Sequence, residues 1–68
     1  MRYAVVIEKA PKNYAAYVPD LPGCVATGRT RAVVQRRIRE AIRVHVAGLR
    51  EDGLPVPEST SACAYVEA

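Results

Sequence analysis

The sequence contains no Phe and no Trp, and only two Cys, one His and one Met occur among its 68 residues. Without the two largest apolar aromatic side chains, a hydrophobic core has to be built from Val, Ile, Leu and Ala, with four Tyr at its margins. A chain of this length buries only about 60% of the surface that its unfolded form exposes. We therefore expect a single domain over residues 1–68 with a thin core.

The scarcity of Cys and His limits the chemistry that the chain can support. Cys24 and Cys63 are too few for the disulfide framework of a small secreted protein, and we expect both to remain thiols. One His without a close pair of Cys does not supply the ligands of a tetrahedral zinc site. The sequence therefore predicts no metal site and no cofactor.

Long hydrophobic runs are also missing. The apolar run Tyr3 to Ile7 is too short to span a membrane and is not followed by a signal-peptide cleavage pattern, so we expect a cytoplasmic protein. Lys and Arg number 10 against 7 Asp and Glu, which gives a formal net charge of +3. So modest a positive charge is weak evidence for a nucleic-acid partner.

What the sequence does contain is a clear order of secondary-structure patterns. Three strands are predicted at Arg2 to Glu8, Tyr14 to Val18 and Gly23 to Thr27. Alternation in the first strand places Tyr3, Val5 and Ile7 on one face. A fourth strand is predicted at Ala62 to Glu67.

A helix is predicted between the third and fourth strands. Thr30 is a suitable N-cap, and Gly53 with Pro55 beyond it marks the end of the helix. The apolar stripe of the helix consists of Val34, Ile38, Ala41, Ile42, His45 and Leu49. The order βββαβ predicts an α+β fold in which one helix covers one face of a four-stranded mixed sheet. The bare opposite face favours self-association or partner binding.

Candidate catalytic groups are sparse. His45, the one imidazole, lies on the apolar stripe with no Cys, Ser or carboxylate one turn away, so we interpret it as a packing residue. The carboxylates are scattered along the chain, and Glu8 and Glu67 could at best form a pair, which is too few for a two-metal nuclease site. We therefore predict a protein without enzymatic activity.

Arg side chains provide one candidate contact surface. Arg36, Arg39, Arg43 and Arg50 lie three, four and seven residues apart, on the helix face away from the apolar stripe. This face could bind phosphates, or it could be a solvated outer face whose charge is partly balanced by Glu40 and Glu51. An acidic protein partner would fit equally well, and no aromatic residue is interleaved for base stacking.

The segment Pro19-Asp20-Leu21-Pro22-Gly23-Cys24 places a carboxylate and a thiol on one short bend. No cation or helix N-terminus adjoins Cys24 in the sequence, so we expect a buried thiol rather than a nucleophile. Two Pro fix backbone angles, Asp20 can bond to local amides, and Gly23 allows an angle that other residues avoid. The segment is predicted to be a tight bend with fixed backbone angles and a structural role.

The segments YAVVIEK, YAAYVPDLPGCVATG, EAIRVHVAGLREDGLPVPE and AYVE cover nearly the whole chain. In this order they resemble the N-terminal domain of the HicB family of antitoxins, with PDLPGC and REDG-x-P-x-P as the most specific runs. The resemblance implies a truncated RNase H-like fold with the first strand central and the fourth parallel to it. It also implies that Cys24 and Cys63 lie on well-separated strands.

The resemblance further implies a function. Such a protein is a type II antitoxin that binds a HicA-type toxin, a small ribonuclease that cleaves mRNA, and masks its active site sterically. Homo-dimers or tetramers are implied, whereas the C-terminal DNA-binding domain of many members is not expected in this chain, nor is direct DNA binding.

The start of the helix departs from the family pattern. Where family members carry acidic residues after the capping Thr, residues 31–37 of this chain read RAVVQRR. The alternative hypothesis, which is based on the Arg-rich helix face, is a stand-alone oligomeric nucleic-acid-binding module that uses Arg36, Arg39 and Arg43.

Overall fold

The computed structural model describes residues 2–68, which form three strands and one helix. Strand β1 spans Val6–Lys9, strand β2 spans Tyr14–Tyr17, strand β3 spans Val25–Gly28, and helix α1 spans Arg31–Glu51. The predicted α+β class and the order βββα are confirmed. The helix lies on one face of the sheet, closest to β3.

The sheet is an antiparallel meander in the order β1-β2-β3. Val6 pairs with Tyr17 and Tyr17 pairs with Val25, so β2 lies in the centre and β1 at an edge. The expectation of a central first strand is therefore wrong for the described sheet. Strand β1 is also shorter than predicted, because its next hydrogen-bonded pair beyond Val6 and Tyr17 would be Ala4 with Pro19, which has no N–H to donate.

The predicted fourth strand is absent from the described residues, and the sheet has three strands rather than four. Residues 62–67 are irregular, and the side chains of Tyr65 and Val66 are 94% and 89% exposed. Tyr65 lines an open pocket together with Val5 and Ile7, but residues 62–67 do not pair with any strand. The prediction rested on Tyr65 and Val66, but the remaining Ala-rich residues add little of the side-chain packing that stabilises a strand.

Both ends of the helix are capped as the sequence indicates. The Thr30 side chain accepts a hydrogen bond from Val33 N at 3.1 Å, which satisfies one of the first free N–H groups. At the other end Gly53 adopts φ +69°, with bonds from Gly53 N to Arg50 O and from Leu54 N to Leu49 O. These two bonds form a Schellman motif, so the helix ends at Glu51, just before the predicted Gly53.

The core is small and contains six buried apolar side chains. They are Ala16, Val18, Leu21, Cys24, Val34 and Ile38. Leu21 and Val34 are fully buried, one from the bend after β2 and the other from the helix. Tyr3, Val5 and Ile7 pack against this cluster, as the alternation of β1 predicts. The opposite sheet face remains bare, with Tyr17 42% and Val25 64% exposed.

Gly28 sets the distance between the sheet and the helix. A Cβ atom at this position would lie 2.8 Å from Val34 N and 2.9 Å from Val33 Cγ1. These contacts are too short for real atoms, and one of them involves helix backbone. The absence of a side chain therefore allows β3 to pass directly beneath the first turn of α1.

We predict that Gly28→Ala lowers the free energy of unfolding by about 1–3 kcal/mol, because the added methyl group forces strand and helix apart. Urea unfolding followed by circular dichroism measures the change. Gly48→Ala is the matched control, since its Cβ would meet nothing within 4 Å inside the helix. That variant should gain about 0.5–1 kcal/mol from helix propensity. Equal effects of the two substitutions would contradict the close approach at Gly28.

Candidate functional site

The bend at residues 19–24 consists of two successive turns. Leu21 N donates to Val18 O at 3.1 Å, and Cys24 N donates to Leu21 O at 3.0 Å. Pro22 and Gly23 occupy the centre of the second turn, and Gly23 has φ +85°. Pro followed by a residue with positive φ is the arrangement of a type II turn, which explains the Pro-Gly pair.

The bend carries its apolar side chains inward. Leu21 is fully buried and Cys24 is 3% exposed, so the thiol faces the core. Burial raises the pKa of the Cys24 thiol above its ordinary value, which disfavours the reactive thiolate. The predicted burial of Cys24 is confirmed.

Asp20 has a different role from the predicted one. Its carboxylate accepts two bonds from Thr60, through the backbone N at 3.0 Å and the hydroxyl at 3.1 Å. It accepts two more from Ser61, through the backbone N at 2.9 Å and the hydroxyl at 2.8 Å. The residues joined are 40 and 41 positions apart, so Asp20 fastens the C-terminal segment to the bend rather than bonding to local amides.

These bonds hold Asp20 in its charged form. The backbone N–H and then the hydroxyl of Ser61 are the main reasons why the pKa of Asp20 lies below its ordinary value of 3.8. Because the folded pKa is the lower one, the charged clasp contributes stability above the unfolded pKa. That contribution is lost as the pH falls from about 4 through the folded pKa. We call Asp20, Thr60 and Ser61 the Asp20 clasp.

Sequence reasoning did not find the far side of this clasp. Thr60 and Ser61 lie in a polar connector, where Ser and Thr are common and carry no distinctive spacing. A second long-range bond, from the Tyr3 hydroxyl to Pro57 O, fixes the same connector against the start of the chain.

The predicted Arg surface is present on the helix. Arg36, Arg39 and Arg43 are all exposed, and we call these three residues the Arg ridge. In residues 2–68 the one ion pair links Arg43 to Glu40 at 3.7 Å, with both side chains largely exposed. Such a pair contributes little, so the positive charge of the ridge is poorly balanced. Helix α1 as a whole contains six Arg and two Glu.

A shallow cleft adjoins the Arg ridge. Its volume is about 310 Å³, and it lies between β1 and the helix. Its apolar floor consists of Val5, Ile7, Ile38 and Ile42, and its rim includes Arg39. The combination of an apolar floor and a cationic rim suits a partner surface in which an acidic side chain lies next to an apolar one.

The remaining chemical candidates do not converge. His45 is half-buried on the helix and lines, with Cys24 and Ala41, a groove between β3 and the helix. Glu8 and Glu67 are both exposed. Across residues 2–68, no three His, Cys, Asp or Glu side chains are grouped so that they could hold a metal ion. Nor does any helix in this part of the chain have the length and apolar character to cross a membrane.

We predict that Asp20→Ala releases residues 60–68 while leaving the helix and sheet intact. The reason is that all four bonds of the clasp end on the Asp20 carboxylate. Amide hydrogen exchange at Thr60 and Ser61 should accelerate at least about tenfold, toward that of an unprotected segment. Protection within α1 should remain.

Glu58→Ala is the matched control, because Glu58 is an exposed carboxylate in the same connector. It should leave exchange at Ser61 unchanged. In the unmodified chain, lowering the pH from 5 to below the folded pKa of Asp20, which itself lies under 3.8, should release the same segment, as the sign of the pKa shift requires. Exchange at Ser61 that is equally slow in Asp20→Ala would refute the clasp.

Comparison with known proteins extends these observations. Residues 3–68 match the family model of the HicB-like antitoxin of bacterial toxin-antitoxin systems. A 14.9 kDa protein from the rep-hol intergenic region of Haemophilus phage HP1 is 36% identical over 66 residues, which is 97% of this chain and 50% of that protein. The chain thus spans about half the length of this relative. A UPF0150 protein of Thermoplasma acidophilum is 34% identical over 62 residues, which is 90% of each chain.

A solved structure shows the same fold. A chain of the HicA3 and HicB3 toxin-antitoxin complex superposes with a TM-score of 0.75 and 32% sequence identity, covering 88% of this chain and 70% of that one. The family match includes the bend, the helix and the C-terminal segment held by the clasp. The chain belongs to the HicB-like antitoxin family.

Proposed function

We propose that this protein is the antitoxin of a toxin-antitoxin pair and that it binds a HicA-type toxin ribonuclease and blocks its active site. The observation that carries the proposal is the structural match over 88% of the chain to a chain of the HicA3 and HicB3 complex. On this proposal the protein acts by occupying a surface of the toxin. It would do so in the cytoplasm, where mRNA is translated.

A blocking role is consistent with the chemistry of the chain. The Cys24 thiol is buried, and the acidic side chains of residues 2–68 form no metal-binding group. Steric inhibition needs none of these groups, because it depends on contact area and complementary charge. The single helix and bare sheet face offer such area without a deep pocket.

We infer that the Arg ridge and the adjoining cleft contact the toxin. Arg36, Arg39 and Arg43 are exposed and largely unpaired with carboxylates, which lets them bind acidic groups with little loss of existing interactions. Arg39 also borders the cleft floored by Ile38 and Ile42. An apolar centre with a charged rim is the usual composition of a specific protein interface.

We also propose that the protein forms a homo-dimer or tetramer. The sheet face opposite the helix exposes Tyr17 and Val25, and the core is limited to six buried side chains. Domains of this size often gain stability from a second copy.

Co-expression tests the antitoxin proposal. The toxin gene next to that of this protein should arrest growth when expressed alone, and co-expression of this chain should restore growth and retain the toxin on an affinity column. Charge reversal of the ridge, Arg36→Glu with Arg39→Glu and Arg43→Glu, should weaken toxin binding at least about tenfold, equivalent to about 1.4 kcal/mol.

The control variant reverses the same number of charges elsewhere. Lys9, Lys12 and Arg29 are exposed basic residues around the β1-β2 turn, so Lys9→Glu with Lys12→Glu and Arg29→Glu changes net charge equally. Rescue by this control but not by the ridge variant locates the contact on the ridge. Absence of rescue and of co-purification by the unmodified chain would count against the antitoxin role.

The unbalanced charge of the Arg ridge also supports a second candidate, a nucleic-acid-binding module. That function requires an affinity for RNA or DNA that falls steeply as the salt concentration rises. The affinity of the ridge variant should depend less steeply on salt. Lack of binding to either nucleic acid at low salt removes this candidate and leaves the antitoxin proposal unaffected.

A further inference from the structure

The register of the sheet gathers basic residues at one end of the molecule. Lys9 pairs with Tyr14, and Tyr14 pairs with Gly28, so these three residues lie side by side across the three strands. Arg29 follows Gly28 directly, and Arg31 begins the helix. Folding therefore places a basic residue of the first strand next to the basic residues that follow the last one.

The β1-β2 turn adds a fourth basic residue. Ala10 N donates to Asn13 O at 2.8 Å, which closes the turn that contains Lys12. This turn and the start of the helix border one concavity of about 360 Å³. The basic residues that line it are all exposed, and they are Lys9, Lys12, Arg29 and Arg31. We call these four residues the basic patch.

The basic patch carries the whole positive excess of the chain. The net charge of +3 comes from 10 basic and 7 acidic residues, so the six basic residues outside the patch are outnumbered by the seven acidic ones. Within residues 2–68, no acidic side chain lines the concavity, and the one ion pair links Arg43 to Glu40. The charge of the patch is therefore not neutralised, and its local potential attracts anions.

Aromatic side chains lie next to the basic patch. Tyr14 lines the same concavity. A second concavity of about 260 Å³ shares Lys9, Tyr14 and Arg31 with the first and is also lined by Tyr65. The Tyr65 side chain is 94% exposed, so its ring is accessible to a ligand. Cations placed among accessible aromatic rings are typical of sites for single-stranded nucleic acid, where phosphates meet the cations and unpaired bases stack on the rings.

We propose that the basic patch, together with Tyr14 and Tyr65, is a binding site for single-stranded nucleic acid. In this arrangement the phosphate groups contact the four cations of the patch, and an unpaired base stacks on the Tyr65 ring. A duplex fits this site less well, because its bases are paired and stacked on each other. The ligand is thus defined by two features, a row of phosphates and at least one free base.

The proposed site is separate from the proposed toxin contact. Arg31 borders both the second concavity and the cleft, but Lys9, Lys12 and Arg29 line neither the cleft nor the Arg ridge. The inference therefore does not rest on the antitoxin proposal. It also assigns nucleic-acid binding to a different surface from the Arg ridge, so the two surfaces can be tested against each other.

Neutralising the patch tests its contact with phosphates. Lys9→Gln with Lys12→Gln and Arg29→Gln removes three charges and leaves Arg31 in place, because Arg31 also borders the cleft. Binding of a fluorescein-labelled single-stranded RNA of about eight nucleotides is measured by fluorescence anisotropy. Between about 50 and 200 mM salt, the slope of log affinity against log salt should be smaller by about 2 in the variant, since each phosphate contact to a single strand contributes about 0.7.

The matched control neutralises the Arg ridge, as Arg36→Gln with Arg39→Gln and Arg43→Gln. Both triple variants have the same net charge, so the general attraction of the chain for an anion is reduced equally. The patch variant should bind the RNA at least about tenfold more weakly than the ridge variant. Equal affinities, or weaker binding by the ridge variant, would overturn the proposal.

Tyr65 separates base stacking from charge attraction. Tyr65→Leu should weaken binding at least about fivefold, which is the lower limit for one base stacked on an aromatic ring. Tyr65→Phe keeps the ring and should bind like the unmodified chain. Tyr65 lies outside the strands and the helix, so both variants should fold, as circular dichroism can verify. Unchanged affinity in Tyr65→Leu would refute a site that recognises bases.

Other ligands distinguish this site from a general anion site. A duplex of the same length and an octa-glutamate peptide should both bind more weakly than the single strand, because neither offers a free base. Single-stranded RNA and DNA share the required chemistry, and the tighter of the two identifies the sugar that the site prefers.

Two further results would decide against the proposal. A peptide that binds as tightly as the single strand would assign the patch to an acidic protein partner. No binding of either single strand at about 50 mM salt would exclude a nucleic-acid site on this chain. Toxin rescue is measured independently, so failure of this inference is distinguishable from failure of the antitoxin proposal.

Discussion

The contact between helix α1 and the sheet is the interaction on which the rest of this small protein depends. Leu21 and Val34 are its two fully buried side chains, and Gly28 lets the strand and the helix approach closely enough to enclose them. With so few buried residues, loss of one contact removes a large fraction of the stability. One helix can cover only one sheet face, so the same contact leaves the other face and both sheet edges available to partners.

The bend between β2 and β3 links this core to the rest of the chain. It directs Leu21 and Cys24 inward, while the Asp20 carboxylate points outward and holds Thr60 and Ser61. A segment that places an acid and a thiol close together thus has two structural roles and no reactive one. The fixed backbone angles of the bend are consistent with both roles, because small changes in its turns would misplace Leu21 and Asp20 together.

The surfaces of the molecule fit a protein that acts by contact. Positive charge is concentrated on the outward side of the helix, the cleft beside β1 has an apolar floor, and within residues 2–68 the outer edge of β3 has no strand partner. The Arg ridge and the cleft adjoin each other through Arg39, whereas the edge at β3 lies on the other side of the helix.

Much of the fold follows from the sequence by itself. Local rules determine the three strands, the Thr30 cap, the Gly53 end of the helix and the Pro-Gly turn, because each depends on neighbouring residues. The burial of Cys24 and the outward position of the Arg ridge follow from the periods of strand and helix. The family itself is identifiable from the bend and the helix end.

Only the tertiary structure decided the features that join distant parts of the chain. Asp20 binds Thr60 and Ser61 because folding brings the bend and the connector together, and no local spacing encodes that meeting. The fourth strand fails for a related reason: Tyr65 and Val66 favour a strand locally, but a strand also needs a partner ladder and packed neighbours, and residues 62–67 have neither in this chain. Pairing between distant segments is a property of the folded molecule, so the sequence determined the elements and the three-dimensional contacts determined which of them join.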